Sequence, residues 1–260
     1  MAFKIDDIII DRIQMAIAED FSGNLLYTLT QLSDATINIT AESKDAKDNT
    51  GTLIKRFWQG KSGEFTATNA MLNLNVIGAA SGEGKKNATS SAPIVMPKII
   101  TVPAGTTTVT LKDYVDGTVQ VAELGTNGAM GTVYTKGTTP SATEYSCTSS
   151  GELKLPTVSD IQFIVKYDRN VTSGASIENK ADKFPGTVKL TLKALAVDPC
   201  SADTLRGVYI VLPSFQVSPE VEINLTTEGN LNYKGDLQVD YCSADKSLYQ
   251  IFFAEDDAEE

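Results

Sequence analysis

The 260-residue chain contains no histidine. Histidine is the usual general base at neutral pH, the commonest zinc ligand and a member of the Ser-His and Cys-His nucleophilic pairs. Its absence excludes those chemistries and leaves carboxylate, lysine or metal-dependent catalysis. No constellation of residues suited to these remaining chemistries stands out along the chain. The sequence therefore predicts a protein that is not an enzyme and has no cofactor, metal or catalytic site.

Cysteine is also scarce, with Cys147, Cys200 and Cys242 widely spaced and no CxxC pair. This spacing indicates neither a zinc site nor a redox dithiol. Reduced thiols in a protein made in a reducing cytosol are one interpretation. A Cys200–Cys242 bridge between neighbouring strands is the other.

Long apolar runs are missing as well, and no stretch approaches the roughly 18 residues of a membrane span. The N-terminus carries Lys4, Asp6 and Asp7 ahead of a short apolar triplet at residues 8–10. A signal peptide needs a basic start and a longer apolar segment. We therefore expect a soluble protein that is made in the cytoplasm and does not bind membranes.

Basic residues are outnumbered, with 22 Lys and Arg against 33 Asp and Glu, a formal net charge of −11. Such a surface repels nucleic acid, since phosphate binding needs clustered Lys and Arg. Solubility is one explanation for this charge. A surface past which DNA slides without sticking is a second. The single tryptophan, Trp58, lies near Lys55 and Arg56, and a packing or subunit-interface role is favoured over ligand binding.

What the chain does contain is strand and turn formers. Short runs of Val, Ile, Thr and Tyr are punctuated by 19 Gly and 9 Pro, which indicates a mainly β protein. One short helix is predicted over residues 68–80, capped by Thr68 or Asn69. Residues 44–51 are polar and end in glycine, so a long loop or hairpin tip is expected there. The strand patterns place eight residues in the core: Leu53, Phe57, Phe163, Leu190, Leu192, Ile210, Ile223 and Phe252.

The domain organisation follows from shifts in composition. Residues 96–156 are rich in Thr and Gly, with short alternating runs separated by frequent turns, which suits a β-rich insertion or decoration region. Residues 1–95 and 157–255 would then form one β core. Residues 256–260 are expected to form an acidic, frayed tail, because of their charge.

Three segments together resemble the bacteriophage major tail tube protein family. Residues 20–54 (DFSGNLLYTLTQLSDATINITAESKDAKDNTGTLI) show strand, turn and strand before a charged loop and a glycine-centred hairpin. Residues 60–82 (GKSGEFTATNAMLNLNVIGAASG) show a strand that leads into a single helix. Residues 205–257 are similar to the closing hairpins of such proteins. The resemblance covers about two thirds of the chain and leaves out the middle region, which could be an outward-facing decoration domain.

The resemblance implies a tail-tube-like β-sandwich or barrel core and a structural role in the virion tail. Subunits would assemble as hexameric rings stacked into a tube, with other phage tail proteins as partners and DNA passing through without specific binding. The protein would be made in the host cytoplasm. Ring and stacking contacts would fall on the charged loop, the N-terminal segment and the C-terminal strand. The residues expected at this assembly interface are Lys44, Asp45, Lys47, Asp48, Lys55, Trp58, Tyr249 and Phe253.

Other classes of protein remain open at this point. A head decoration, capsid, connector or baseplate subunit is the first alternative, although a capsid subunit of the common type would show a long spine helix. A carbohydrate- or surface-binding β module would need a secretion signal and an aromatic platform. An enzyme would need a pocket with paired, perturbed carboxylates.

Overall fold

The chain is mainly β, as predicted, and the described part contains one short helix. The computed structural model describes residues 8–30, 32–71, 73–198, 201–223, 231–241 and 244–259. The first elements in chain order are β1 (Ile9–Glu19), β2 (Leu25–Leu29), β3 (Leu32–Lys47), β4 (Leu53–Asn69), α1 (Leu74–Ala80), β5 (Lys85–Ala88), β6 (Ile94–Val102), β7 (Thr108–Thr110) and β8 (Gln120–Leu124). The remaining elements are β9 (Met130–Lys136), β10 (Glu144–Cys147), β11 (Glu152–Lys154), β12 (Gln162–Val171), β13 (Gly174–Ile177), β14 (Thr187–Asp198), β15 (Ser201–Val217), β16 (Leu231–Leu237) and β17 (Gln250–Glu259).

The chain divides into two compact units. Unit 1 comprises Met1–Lys85 with Ile177–Glu260, and unit 2 comprises Lys86–Ser176. Unit 2 extends past both ends of the expected insertion at residues 96–156. The reason is that β6 and β12, near the two ends of the unit, pair with each other over their whole length. The two chain segments that join the units, β5 and β13, pair as a two-stranded ribbon.

Unit 1 is built on one large sheet of eight strands. Its order is β2-β1-β14-β15-β16-β4-β3, and β17 pairs with β15 beside this path. Strands β1 and β3 lie near opposite ends of the order, yet they contact each other. The sheet therefore curls into a partly closed barrel, and its inner face forms the core of the unit.

Four aromatic side chains form the centre of the unit 1 core. Tyr27, Phe65, Phe215 and Tyr233 meet edge-to-face or tilted, with ring centroids 5.6–6.3 Å apart. These geometries suit the ring quadrupoles and add to the free energy gained by burying the rings. Gly235 lies against this cluster, because a Cβ there would come within 2.5 Å of the Phe215 ring.

The tyrosine pair of this cluster is expected to make the protein less stable at alkaline pH. The Tyr27 and Tyr233 hydroxyl oxygens lie 2.8 Å apart, and burial raises the pKa of Tyr27 to about 12 and that of Tyr233 well above its usual value. Above pH 10 the unfolded state loses these protons first, so it binds fewer protons than the folded state. The free energy of unfolding is therefore expected to fall between pH 10 and 12, by about 1.4 kcal/mol per pH unit for each tyrosine.

Urea titrations at a series of alkaline pH values measure this slope. The Tyr233→Phe variant removes one titrating group from the core and is expected to show a shallower fall than the wild-type protein. Identical slopes for the two proteins would contradict the assignment of the effect to this pair.

The helix is shorter than the sequence pattern predicts. Thr68 and Asn69, expected to cap it, belong instead to β4 and pair with Asn232 and Leu231 of β16. The N-cap is Asn73, whose side-chain oxygen accepts a hydrogen bond from the Asn75 backbone N–H at 3.0 Å. The prediction of the helix start was wrong because the pairing with β16 holds the preceding residues extended.

Half of the predicted core residues are buried. Phe163, Leu190, Leu192 and Ile210 are in the core, as predicted, whereas Leu53, Phe57, Ile223 and Phe252 are 46–52% exposed. The alternation of apolar residues identifies strands correctly. It does not tell whether another layer covers the face that those residues share.

Unit 2 contains a seven-stranded sheet with the order β6-β12-β8-β9-β10-β11-β7. Its core face buries Val165 and its register partner Val121 on the neighbouring strand, together with Phe163, which lies two residues before Val165. The opposite face exposes Ile99 and Val133, which are 63% and 62% accessible. Unit 2 thus has a core of its own.

The C-terminal segment and Cys147 are described by the structure, whereas the other two cysteines are not. The acidic residues expected to fray lie partly within β17, whose backbone pairs with β15 as far as Glu259 opposite Leu205. Residue 260 lies outside the described residues, as does the Cys200–Cys242 pair. Cys147 is a free, half-buried thiol.

Among the described residues, no helix is both long and apolar enough to cross a membrane.

Candidate assembly interface

The most exposed feature of unit 1 is the distal half of the β3–β4 hairpin, residues 41–61, which we call the arm. Its strands pair with each other from Ala41 opposite Lys61 to Lys47 opposite Leu53. On the other side of β4, β16 pairs only with Gly63–Asn69, so within the described residues no third strand joins the arm. At the rise of a β-strand, the arm extends about 25 Å beyond the sheet.

Asp48 shapes the tip of the arm. Its Oδ1 accepts hydrogen bonds from the Thr50 hydroxyl at 2.7 Å and from the backbone N–H groups of Thr50 and Thr52 at 2.9 and 2.8 Å. These bonds lower the pKa of Asp48, the Thr50 hydroxyl having the largest effect. Gly51 supplies the positive φ of 85° that closes the turn. Residues 44–51 are therefore strand and a tight turn, where a loop was one expectation.

Each face of the arm combines an aromatic ring with a cation. The Arg56 guanidinium lies 5.8 Å from the centre of the Trp58 ring, and its Nε donates to Asp45 Oδ1 at 2.7 Å. A second bond joins Arg56 Nη2 to Asp45 Oδ2 at 3.0 Å, and hydrogen bonding to Arg56 lowers the pKa of Asp45. On the other face, Lys55 Nζ lies 5.3 Å from the centre of the Phe57 ring. Contacts of this kind orient the exposed rings but leave their surfaces accessible.

Large apolar side chains on the arm remain in water. Leu53, Ile54, Phe57 and Trp58 are 47%, 68%, 51% and 66% exposed. A two-stranded ribbon on its own is only marginally stable, and exposed apolar clusters of this kind mark contact sites. The arm therefore has the composition of an interface, and in the described part of the chain no other element covers it.

The predicted interface residues fall in two places. Lys44, Asp45, Lys47, Asp48, Lys55 and Trp58 all lie on the arm. Tyr249 lies near the base of the arm, where it lines a groove of about 390 Å³ with Ile39 and Lys61. Phe253 pairs in register with Val208 and packs against the unit 1 core.

The sequence pattern placed Leu53 and Phe57 in the core and did not include Ile54 among the interface residues, whereas all three are exposed on the arm. A signal was present in the order of residues 53–58. The apolar residues of this segment do not alternate with polar ones. Lys55 and Arg56 stand between two apolar pairs, so each face of the strand carries one cation as well as apolar side chains. A strand that contributes to a core keeps one face free of charge.

A second surface of unit 1 exposes part of its core. Between β1 and β3, which approach each other at the seam of the curled sheet, lies a groove of about 550 Å³ that we call the seam groove. Its lining is mainly apolar, with Asp11, Arg12, Ser33 and Asp34 as the polar members, and it includes the buried side chains of Phe65 and Leu192. Asp34 is exposed at its rim, beside the ion pair of Arg12 with Asp11 at 2.7 Å.

Charge is distributed unevenly along the chain. Unit 2, residues 86–176, contains seven basic and seven acidic residues and is formally neutral. The whole net charge of −11 therefore falls on unit 1. Within unit 1 the arm has five basic and three acidic residues, a net charge of +2. The remainder of unit 1 has ten basic and 23 acidic residues, a net charge of −13.

The sequence of this chain matches the model of one known protein family. The model of the YomU/Tube protein family matches residues 7–250, nearly the whole chain. No curated protein matches the chain. The match covers most of both parts of unit 1 and the whole of unit 2, and it bears out the resemblance to tail tube proteins. The chain belongs to the YomU/Tube protein family and is a phage tail tube-type structural protein, a component of the virion.

Proposed function

We propose that this protein is a tail tube subunit that self-assembles into hexameric rings, which stack into a channel for DNA. The observation that carries the proposal is the arm, with four large apolar side chains exposed on a two-stranded ribbon. A contact between different surfaces of successive subunits is heterologous, and repetition of such a contact builds a filament. The hexameric symmetry is carried over from the resemblance to tail tube proteins.

The assembly interface comprises Lys44, Asp45, Lys47, Asp48, Lys55 and Trp58 on the arm, with Tyr249 at its base. Trp58 and Tyr249 are 66% and 43% exposed, so both have surface to lose on assembly. Aromatic residues of this kind dominate the binding free energy of interfaces. Phe253 contributes from within the subunit, since it packs β17 against the core.

Lateral contacts within a ring use the edges of the unit 1 sheet. Strands β2 and β3 end the sheet order, and an unpaired edge is a template for pairing with another chain. Leu25 of β2 and Ile251 of β17 are 67% and 58% exposed. Strand addition between subunits would bury such residues and close the ring.

The charge distribution supports passage of DNA without binding. Unit 1, the part of the chain that resembles tube subunits, carries the entire charge of −11. Phosphate groups are repelled by a surface of this sign, and stable binding to DNA needs clustered cations. The role is structural and not catalytic, with other phage tail proteins as partners and synthesis in the host cytoplasm.

Unit 2 acts as a decoration region that tube assembly does not require. It is formally neutral and has a core separate from that of unit 1. We expect that replacing residues 90–172 with a short Gly-Ser linker leaves tube formation intact, because the β5–β13 ribbon and the unit 1 core remain.

Negative-stain electron microscopy of that deletion variant measures the outcome. Residues 86–176 expressed alone serve as the control and are expected to unfold in a single cooperative transition. A soluble, folded deletion variant that forms no tubes would contradict a decorative role for unit 2.

The function itself is tested by negative-stain electron microscopy of the purified full chain over a range of concentration and salt. Hollow tubes or stacked rings with a central channel are expected. Monodisperse monomers under every condition would overturn intrinsic self-assembly and favour a virion protein whose assembly needs a partner.

A further inference from the structure

We infer that the seam groove between β1 and β3 is the docking site for the arm of a second copy of this chain. The inference rests on the proposed function and adds the receiving surface to it. The groove has a mainly apolar lining, and the arm exposes large apolar side chains. The two surfaces have opposite net charge and lie far apart along the β3–β4 hairpin.

The groove presents a mainly apolar surface that lacks a cover within the described residues. Ile10, Ile13, Leu32 and Ile37 line its walls, and Ile10 is 52% exposed. A volume of about 550 Å³ holds several large side chains, since ligand pockets run from about 300 to 1,000 Å³. The arm supplies matching occupants in Ile54, Phe57 and Trp58.

The charges of the two surfaces favour contact between copies. The arm has a net charge of +2, and the charged residues that line the groove, Asp11, Arg12 and Asp34, have a net charge of −1. At the groove, Arg12 neutralises Asp11, which leaves the exposed Asp34 as the unbalanced charge of the rim. Complementary potentials of this kind steer association and select the correct register.

The geometry of the hairpin makes the contact intermolecular. The groove lies at the beginning of β3, at Leu32 and Ile37, whereas the tip of the arm follows Lys47 at the other end of the same strand. The extended backbone separates the two by about 35–50 Å. The arm therefore does not reach the groove of its own chain. A copy displaced along the hairpin places its arm there, and each added copy offers a new groove.

Complementary variants test this head-to-tail contact. An arm variant, Ile54→Ser with Trp58→Ser, keeps its groove. A groove variant, Ile10→Lys with Ser33→Lys, keeps its arm, and both of its substituted side chains are exposed in the wild-type protein. Neither variant alone is expected to grow tubes. A 1:1 mixture is expected to form one arm-to-groove layer and stop, giving a discrete species of equal stoichiometry by mass photometry and sedimentation.

The control for surface charge is Ile99→Lys on unit 2, where the wild-type side chain is 63% exposed and tube growth is expected to be unchanged. Tubes formed by the groove variant alone would overturn the inference and leave the proposed function standing. Absence of the 1:1 species, with both variants folded by circular dichroism, would also overturn it. Absence of tubes from the wild-type chain is the failure that concerns the proposed function.

Cross-linking provides a measurement that does not depend on disrupting the groove. In a background with the three native cysteines changed to serine, Ile10→Cys with Ile54→Cys is expected to join different chains in assembled tubes. The pair Ile99→Cys with Ile54→Cys is expected to give less than one tenth of that yield. Tubes without the Ile10–Ile54 cross-link would overturn the inference and point to another occupant of the groove, such as residues 1–7.

Discussion

Replacing Ile54 and Trp58 together with serine is expected to abolish tube assembly and to leave the folded monomer intact. The two side chains are 68% and 66% exposed, so they contribute little to the core of the subunit. At an interface, truncation of an anchor residue costs about 2 kcal/mol or more. Two such losses raise the concentration needed for assembly by about a thousandfold.

Sedimentation velocity and electron microscopy measure the assembly, and urea unfolding measures the monomer. The free energy of unfolding is expected to change by less than about 0.5 kcal/mol, as for surface substitutions in general. The matched control is Ile99→Ser with Val133→Ser on unit 2, where exposure is 63% and 62%. If both double variants impaired assembly equally, the arm would have no special role.

Replacing Phe65 with alanine is expected to have the largest effect on stability. Phe65 is 1% exposed and contacts both Phe215 and Tyr233 edge-to-face, with ring centroids 6.0 and 6.1 Å away. Truncation removes a buried ring and leaves a cavity that the surrounding sheet fills only in part. The free energy of unfolding is expected to fall by about 3–5 kcal/mol.

The same strand provides the control for this prediction. Phe57 precedes Phe65 on β4 and is 51% exposed. Phe57→Ala is expected to change the free energy of unfolding by less than about 0.5 kcal/mol but to weaken assembly. Equal destabilisation by the two variants, measured by urea unfolding, would mean that the arm is packed within the monomer.

Several features of this protein were accessible from residue pattern alone. The density of Val, Ile, Thr and Gly predicts a mainly β chain, and element order is sufficient to identify the tail tube resemblance that the family match confirms. Buried strands such as β14 were found correctly, because Leu190 and Leu192 alternate with polar residues in the first half of the strand.

The helix start shows where local pattern fails. Thr68 and Asn69 have the side chains of a helix cap, and Asn73 has the same chemistry a few residues later. Pairing of β4 with β16, a strand more than 150 residues away in sequence, decides between them. Contacts at such separation outweigh local propensity, because they satisfy the backbone hydrogen bonds of the whole segment.

The sequence by itself determined the composition of the strands, the cationic character of residues 41–61 and the absence of histidine chemistry. Only the tertiary structure decided that Phe57 is exposed while Phe65, on the same strand, is buried. The physical reason is that burial depends on which strands and layers lie beside a residue, and β16 covers only one half of β4. The seam groove is decided in the same way, by how far the sheet curls before β1 and β3 meet.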